Sequence, residues 1–202
     1  MNPWTLIQPT GSHDDLAAIE RGIAALYNGP FTLIGIPVDN WNRDLAPWEA
    51  PPIFGNEGFG DGARHTLQHL LSTIDGLASG TRSPVCIGGY SMAGLFALYA
   101  AMHSPHFDAL CTVSPSVWFP GWIAYAEQHP IRSRRAYISL GDREHRSRNP
   151  LLQQVNTNVQ RQYELFPCEK HLDWNEGTHF TDPIGRMVKG YLWVMSGQSQ
   201  PQ

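Results

Sequence analysis

Residues 85–102, VCIGGYSMAGLFALYAAM, admit few folds. Val85, Cys86 and Ile87 run into Gly88 and Gly89, Ser91 follows, and small or apolar residues then continue to Met102. The first part reads as a buried strand and the last as a helix, with room between them only for a sharp turn. A strand that turns at once into a helix packs that helix back onto its own sheet, the unit of a parallel sheet covered by helices. Gly89 and Ala93 are small enough for the two backbones to approach closely. On such an elbow the Ser91 hydroxyl is pushed out of the sheet. The Met92 amide, at the helix N-terminus, can then receive an oxyanion. The usual form of this turn is G-x-S-x-G; here Ala93 fills its last place and Gly94 follows one step later.

The rest of the chain repeats the strand–helix alternation. WTLIQ (4–8) reads as a strand ending in the loop signal Pro9-Thr10-Gly11. Asp14 or Asp15 caps a helix with Leu16, Ile19, Ile23 and Leu26 on one face, and Asn28-Gly29-Pro30 stops it. Residues 31–38 form an almost unbroken apolar run, as for a strand buried on both faces. A long stretch, 39–62, rich in proline and glycine, carries Trp41, Trp48, Phe54 and Phe59 and reads as an ordered loop that walls a pocket. A helix is predicted over 63–78, the elbow helix over 92–103, and a strand from 109. There follow a short helix over 121–128, a strand over 134–141, one helix over 151–165, a strand over 170–177, and a helix from Pro183 to about 195. The expected fold class is α/β, a mostly parallel sheet with helices on both faces. It forms a single domain over 1–196, with a disordered tail over 197–202.

The bulk numbers narrow the classes. With 42% hydrophobic and 16% charged residues, the 202-residue chain can bury a sizeable core. Its net charge of -4 and the lack of a basic stripe argue against nucleic acid. No apolar run reaches the roughly 20 residues of a membrane span, and the start lacks the pattern of a signal peptide. Three widely spaced cysteines, Cys86, Cys111 and Cys168, form neither a disulfide framework nor a zinc cage. They read as reduced, in a cytoplasmic protein, and Cys86 and Cys111 as core residues.

Polar residues that could do chemistry follow the strand ends, the edge where parallel sheets put their sites. A serine hydroxyl needs a base to act as a nucleophile near neutral pH. His179 follows the last strand in Gly177-Thr178-His179-Phe180 and can serve. The loop after the strand 134–141 offers Asp142 and Glu144 as the carboxylate that orients the histidine. Nucleophile, acid and histidine then stand in a known chain order for such a site. A second oxyanion amide is expected from the loop after the first strand, at Thr10 or Gly11.

Four stretches, GGYSMAG, VSPSVWF, LGDREHRSRNP and NEGTHF, together with WNRDLAPWEAP before the elbow, resemble the α/β-hydrolase superfamily. More narrowly they resemble the esterases grouped around esterase D and the ferric-enterobactin esterases. The resemblance implies an α/β-hydrolase fold with a reduced N-terminal part and no lid domain. It also implies ester hydrolysis through a serine acyl-enzyme, with no cofactor and no metal. In many relatives the acid stands three residues after the glycine that ends its strand, and that offset favours Glu144 after Gly141.

A small-molecule ester is the implied partner, with no nucleic acid or membrane, and a homodimer is left open. Tyr90, Trp41, Trp48 and Trp118 are the candidate substrate contacts, because aromatic walls suit acyl or aryl groups. Acyl transfer or peptide cleavage by the same triad is an alternative, as is a binding module on the same scaffold.

Overall fold

The computed structural model describes residues 2–12, 14–53, 55–77 and 83–197. In chain order the elements are β1 (Trp4–Thr10), α1 (Leu16–Ala24), β2 (Phe31–Pro37), α2 (Trp41–Asp44), α3 (Ala63–Leu77), β3 (Val85–Tyr90) and α4 (Met92–His103). They continue with β4 (Ala109–Val113), α5 (Trp122–Gln128), β5 (Arg135–Gly141), α6 (Pro150–Gln153), α7 (Val155–Glu164), β6 (Glu169–Asn175) and α8 (Pro183–Ser196). The six strands make one open sheet in the order β2-β1-β3-β4-β5-β6, and every neighbouring pair is parallel. The chain steps outward from β1 to β2, then crosses back to β3 on the other side of β1. The crevice at the carboxyl ends of β1 and β3 is therefore the switch point where such sheets bind ligands.

Helices cover both faces. On one, α1 and α8 bury Ile19, Ile23, Met187, Tyr191 and Val194 against Leu6, Cys86 and Cys111. On the other, α3, α4, α5 and α7 enclose the larger core around Ile87, Leu95, Phe96 and Ile138. Ten of the twelve residues of α4 are buried, so this helix is apolar all round because it has no solvent face. Each fully buried Leu or Phe on it contributes roughly 1.5–3 kcal/mol. Cys86 and Cys111 are fully buried free thiols, as expected, and Cys168 is free and half-buried.

Four expectations are corrected. The run at 31–38 is not buried on both faces: β2 is an edge strand, and only Ile36 within it is buried. Its residues turn to both cores, Phe31 and Leu33 to the one under α1 and α8 and Ile34 and Ile36 to the other, but all except Ile36 stay partly exposed, and its outer edge is unpaired among the described residues. The helix over 151–165 is two, α6 and α7, parted at Gln154, whose φ of -88° and ψ of -2° lie at the edge of the helical region. The helix capped by Asp15 ends at Ala24, so Leu26 lies beyond it and is exposed. The first strand runs through Pro9 to Thr10 instead of stopping at Gln8. The stretch 39–62 carries a turn of helix at α2 and a bridge between Ala50 and Phe59. Phe54, Ala78 and the tail over 198–202 lie outside the described residues.

Candidate active site

The elbow forms where β3 meets α4. Ser91 has φ 60° and ψ -121°, a conformation that costs about 1–3 kcal/mol and persists only where its surroundings enforce it. The Ser91 amide donates to Val113 O at 3.1 Å, and its carbonyl accepts from the amides of Leu95 and Ser116. A Cβ on Gly89 would lie 2.2 Å from the Ala93 carbonyl oxygen, so only glycine fits there. At Gly94 a Cβ would lie 2.9 Å from Thr112 Oγ1 and 3.1 Å from Gly89 O. The second small residue that the close approach demands is therefore Gly94, and Ala93 is tolerated one step before it. Gly89→Ala is expected to destabilise the fold by on the order of 3 kcal/mol, because the clash is with backbone. Chemical denaturation checks this, and an unchanged midpoint would contradict the packing described.

Four strand ends bring the polar groups together. His179 Nε2 lies 3.0 Å from Ser91 Oγ, and His179 Nδ1 lies 2.8 Å from Glu144 Oε2. An ionised carboxylate can only accept, so Nδ1 carries the proton and Nε2 is left to accept from Ser91 Oγ. The His179 side chain is 28% exposed, against 4% for Glu144. Glu144 Oε1 accepts from Ser114 Oγ and from the Gly141 amide, each at 2.7 Å, and from Arg186 Nη1 at 3.2 Å. Ser114 has φ 46° and ends β4 much as Ser91 ends β3.

Burial pushes the Glu144 carboxyl up. The hydrogen bond and charge of His179, with the donors Ser114 and Gly141, outweigh it and hold the group below its ordinary 4.5. A depressed carboxyl contributes stability that is present above the ordinary value and is lost as pH falls through the lower folded one. Thermal stability should therefore fall below about pH 4.5. Glu144→Gln should flatten that acid limb in a scan of Tm against pH, and an equally steep limb in the variant would contradict the coupling.

Asp142 stands two residues earlier and faces elsewhere. Its Oδ1 accepts from the Gly177 amide at 2.8 Å, and Asp142 N donates to Asn175 O. That amide, with the nearby Arg143, lowers its carboxyl. Asp142 thus ties the histidine loop to the acid loop, while Glu144 touches the imidazole. Gly177, with φ 112°, gives the loop the bend that carries His179 back over the sheet. The Tyr90 hydroxyl donates to the His179 carbonyl, and its ring lies 5.2 Å from the imidazole. Phe180, 86% exposed, also meets the imidazole edge-on.

The remaining sequence candidates divide. The Met92 amide opens α4, where no intrahelical acceptor exists for it. The Gly11 amide already donates to Asp14 Oδ2 at 2.7 Å, so an incoming oxyanion would have to displace that carboxylate. Thr10 is the last residue of β1, and its carbonyl accepts from Val38 N. Trp41 lies against Gly11, 3.3 Å from where a Cβ would stand. Trp48 packs among Phe119, Trp122 and Tyr125 and donates to Pro120 O, and Trp118 is buried against Phe59 and Phe119. Those two tryptophans pack the loops onto the body of the protein.

Sequence reasoning missed Ser114 and Arg186. Ser114 left no signal beyond its place after a strand. Arg186 left a faint one: it shares the buried face of α8 with Gly190 and Val194, four and eight residues on, where an apolar residue is expected.

No protein-family model and no curated protein matches this sequence. Solved structures do match. The chain is 19% identical to the siderophore hydrolase EstB from Aspergillus nidulans, with a TM-score of 0.76 over 100% of this chain and 85% of that one. It is 16% identical to an IroE-like serine hydrolase from Shewanella oneidensis, with a TM-score of 0.72 over 99% and 72%. SOBER1 of Arabidopsis thaliana follows at 17% identity and a TM-score of 0.61, over 96% and 98%. The fold is thus that of the α/β-hydrolases, as the resemblance implied. Among the described residues, no helix is long and apolar enough to cross a membrane.

Proposed function

We propose that the protein is a serine esterase that cleaves a carboxylic ester through an acyl-enzyme on Ser91. The names of the solved neighbours support a hydrolase role. One observation carries the esterase reading: Ser91 Oγ, both nitrogens of His179 and Glu144 Oε2 form a continuous hydrogen-bonded line, with links of 3.0 and 2.8 Å. As Ser91 Oγ attacks the acyl carbonyl, its proton passes to His179 Nε2, and Glu144 stabilises the imidazolium through Nδ1–H. The oxyanion is held by the Met92 amide and by that of Thr10, or of Gly11 once the oxyanion displaces Asp14 from it. Collapse expels the alcohol, which takes the proton from Nε2. Water then gives a proton to the same nitrogen, attacks the acyl-enzyme and releases the acid, restoring Ser91.

The substrate is a small-molecule ester. Trp41 beside Gly11 and the exposed Phe180 beside His179 are the aromatic groups that support an apolar wall at the site. The name of EstB gives a reason to include a siderophore ester among those tried. Three free cysteines support a reducing compartment, the cytoplasm.

A fluorophosphonate probe tests the reading. It should label the protein on Ser91 alone, and a folded protein left unlabelled would mean a binding module instead. Analysis of the products formed with an amine or alcohol present separates hydrolysis from acyl transfer.

A further inference from the structure

We propose that Arg186 is the positioning residue of this site, one buried guanidinium that holds the acid and the histidine loop in register. The inference rests on the reading of Ser91, His179 and Glu144 as a triad. Arg186 lies on the inner face of α8 among Met187, Gly190 and Tyr191, and its side chain is 3% exposed. A cation in such a place costs several kcal/mol unless it is paired and its donors are used. Here they are used in one direction. Nη1 donates to Glu144 Oε1 at 3.2 Å and to Ser114 Oγ at 3.3 Å. Nη2 donates to the carbonyls of Glu176 and Thr178, each at 3.1 Å.

Those two carbonyls flank Gly177 and end one residue before His179. The planar fork thus fixes the distance between the loop that carries the base and the carboxylate that the base must meet. A lysine ammonium is a point charge and cannot span both partners in the same way. The guanidinium also has an electrostatic part. It sits on Oε1 while the imidazole sits on Oε2, so it offsets part of the negative charge of the carboxylate. Tyr90 from β3 bonds the His179 carbonyl, and the other charged groups on the adjoining loops are Asp142 on the Gly177 amide, Asp182 at the start of α8 and the exposed Arg143–Glu176 pair.

The test compares Arg186→Met, Arg186→Lys, Glu144→Gln and the double variant Glu144→Gln/Arg186→Met in p-nitrophenyl acetate turnover, with Ser91→Ala as control. Arg186→Met should lower kcat about 10- to 100-fold while KM changes less than about 3-fold. The acid limb of kcat/KM should move to higher pH by about half a unit or more, because the carboxylate is then less neutralised. Arg186→Lys should keep the limb near its wild-type position and recover only part of kcat. In the Glu144→Gln background, removing Arg186 should cost less than about 3-fold, since the two act as a unit.

An unmoved limb, or losses that multiply in the double variant, would overturn the proposal. Should Arg186→Met alone fail to fold, the double variant removes both buried charges, and its kcat against that of Glu144→Gln decides the question. A proton resonance at low field from His179 Nδ1–H gives a readout apart from turnover. It should shift or broaden in Arg186→Met, where both the charge on Glu144 and the hold on the histidine loop change, and an unchanged resonance there would overturn the proposal. If wild type and Ser91→Ala turn over the ester equally, the triad reading fails, and the resonance still reports on Arg186.

Discussion

Ser91→Ala should lower p-nitrophenyl acetate hydrolysis by on the order of 10⁵-fold or more and abolish fluorophosphonate labelling. The residual rate should be that of ester bound near the Met92 amide, without a nucleophile. The size follows from what is removed. Proton transfer to His179 and the covalent intermediate both depend on Oγ, so the triad members act together and most of the effect goes with any one of them. The fold should survive, because alanine meets the same backbone demand at φ 60° as serine and the hydroxyl caps no amide. A Tm within roughly 2 °C of wild type would show this, since that shift is about 0.5–1 kcal/mol for a chain of this size. Retention of a tenth of the wild-type rate would remove Ser91 from the chemistry.

Glu144→Gln should cost about 10³- to 10⁴-fold in kcat, whereas Asp142→Asn should cost less than about 10-fold. The two carboxylates lie two residues apart on one loop, yet their surroundings ask different things of them. Glu144 must be an anion. It receives Nδ1–H of His179, and a neutral amide can neither stabilise the imidazolium nor keep the tautomer with Nε2 free for Ser91. Asp142 need only accept a hydrogen bond from the Gly177 amide, and an asparagine oxygen accepts as well. Parallel kcat measurements at one saturating substrate concentration would decide between them. A larger loss in Asp142→Asn would reverse the assignment.

How far the sequence carried the reading depended on whether a feature is local. The elbow was legible because a strand, a tight turn and a small-residue helix each leave a mark within a few residues. α4 has the predicted bounds 92–103. His179 and the acid loop were legible from their place after strands, since a parallel sheet gathers its carboxyl ends. The loop residues alone left Asp142 and Glu144 open, and only the offset known from the resemblance favoured Glu144; which of the two turns inward depends on donors from Ser114, Gly141 and Arg186, up to 42 residues away. The status of β2 was hidden for a related reason. An apolar run reports how much of a strand is packed, not whether a neighbour pairs with its far edge. Trp48 and Trp118 look from the sequence like pocket walls, but aromatic residues pack loops and line pockets with the same composition, and only their contacts separate the two uses.

α8 bears on how the protein is made. It supplies Arg186, and Tyr191 on the same helix donates to Gln8, 183 residues away on β1. A chain growing on the ribosome exposes its elbow serine long before its histidine, its buried arginine or the clasp onto the first strand exists. Until then Ser91 has neither its base nor a finished sheet beneath it. On the proposed reading the site is therefore incomplete through most of synthesis, and it is complete only once β6, the histidine loop and α8 have docked. A proteolytic cut ahead of α8 would disarm it in the same stroke.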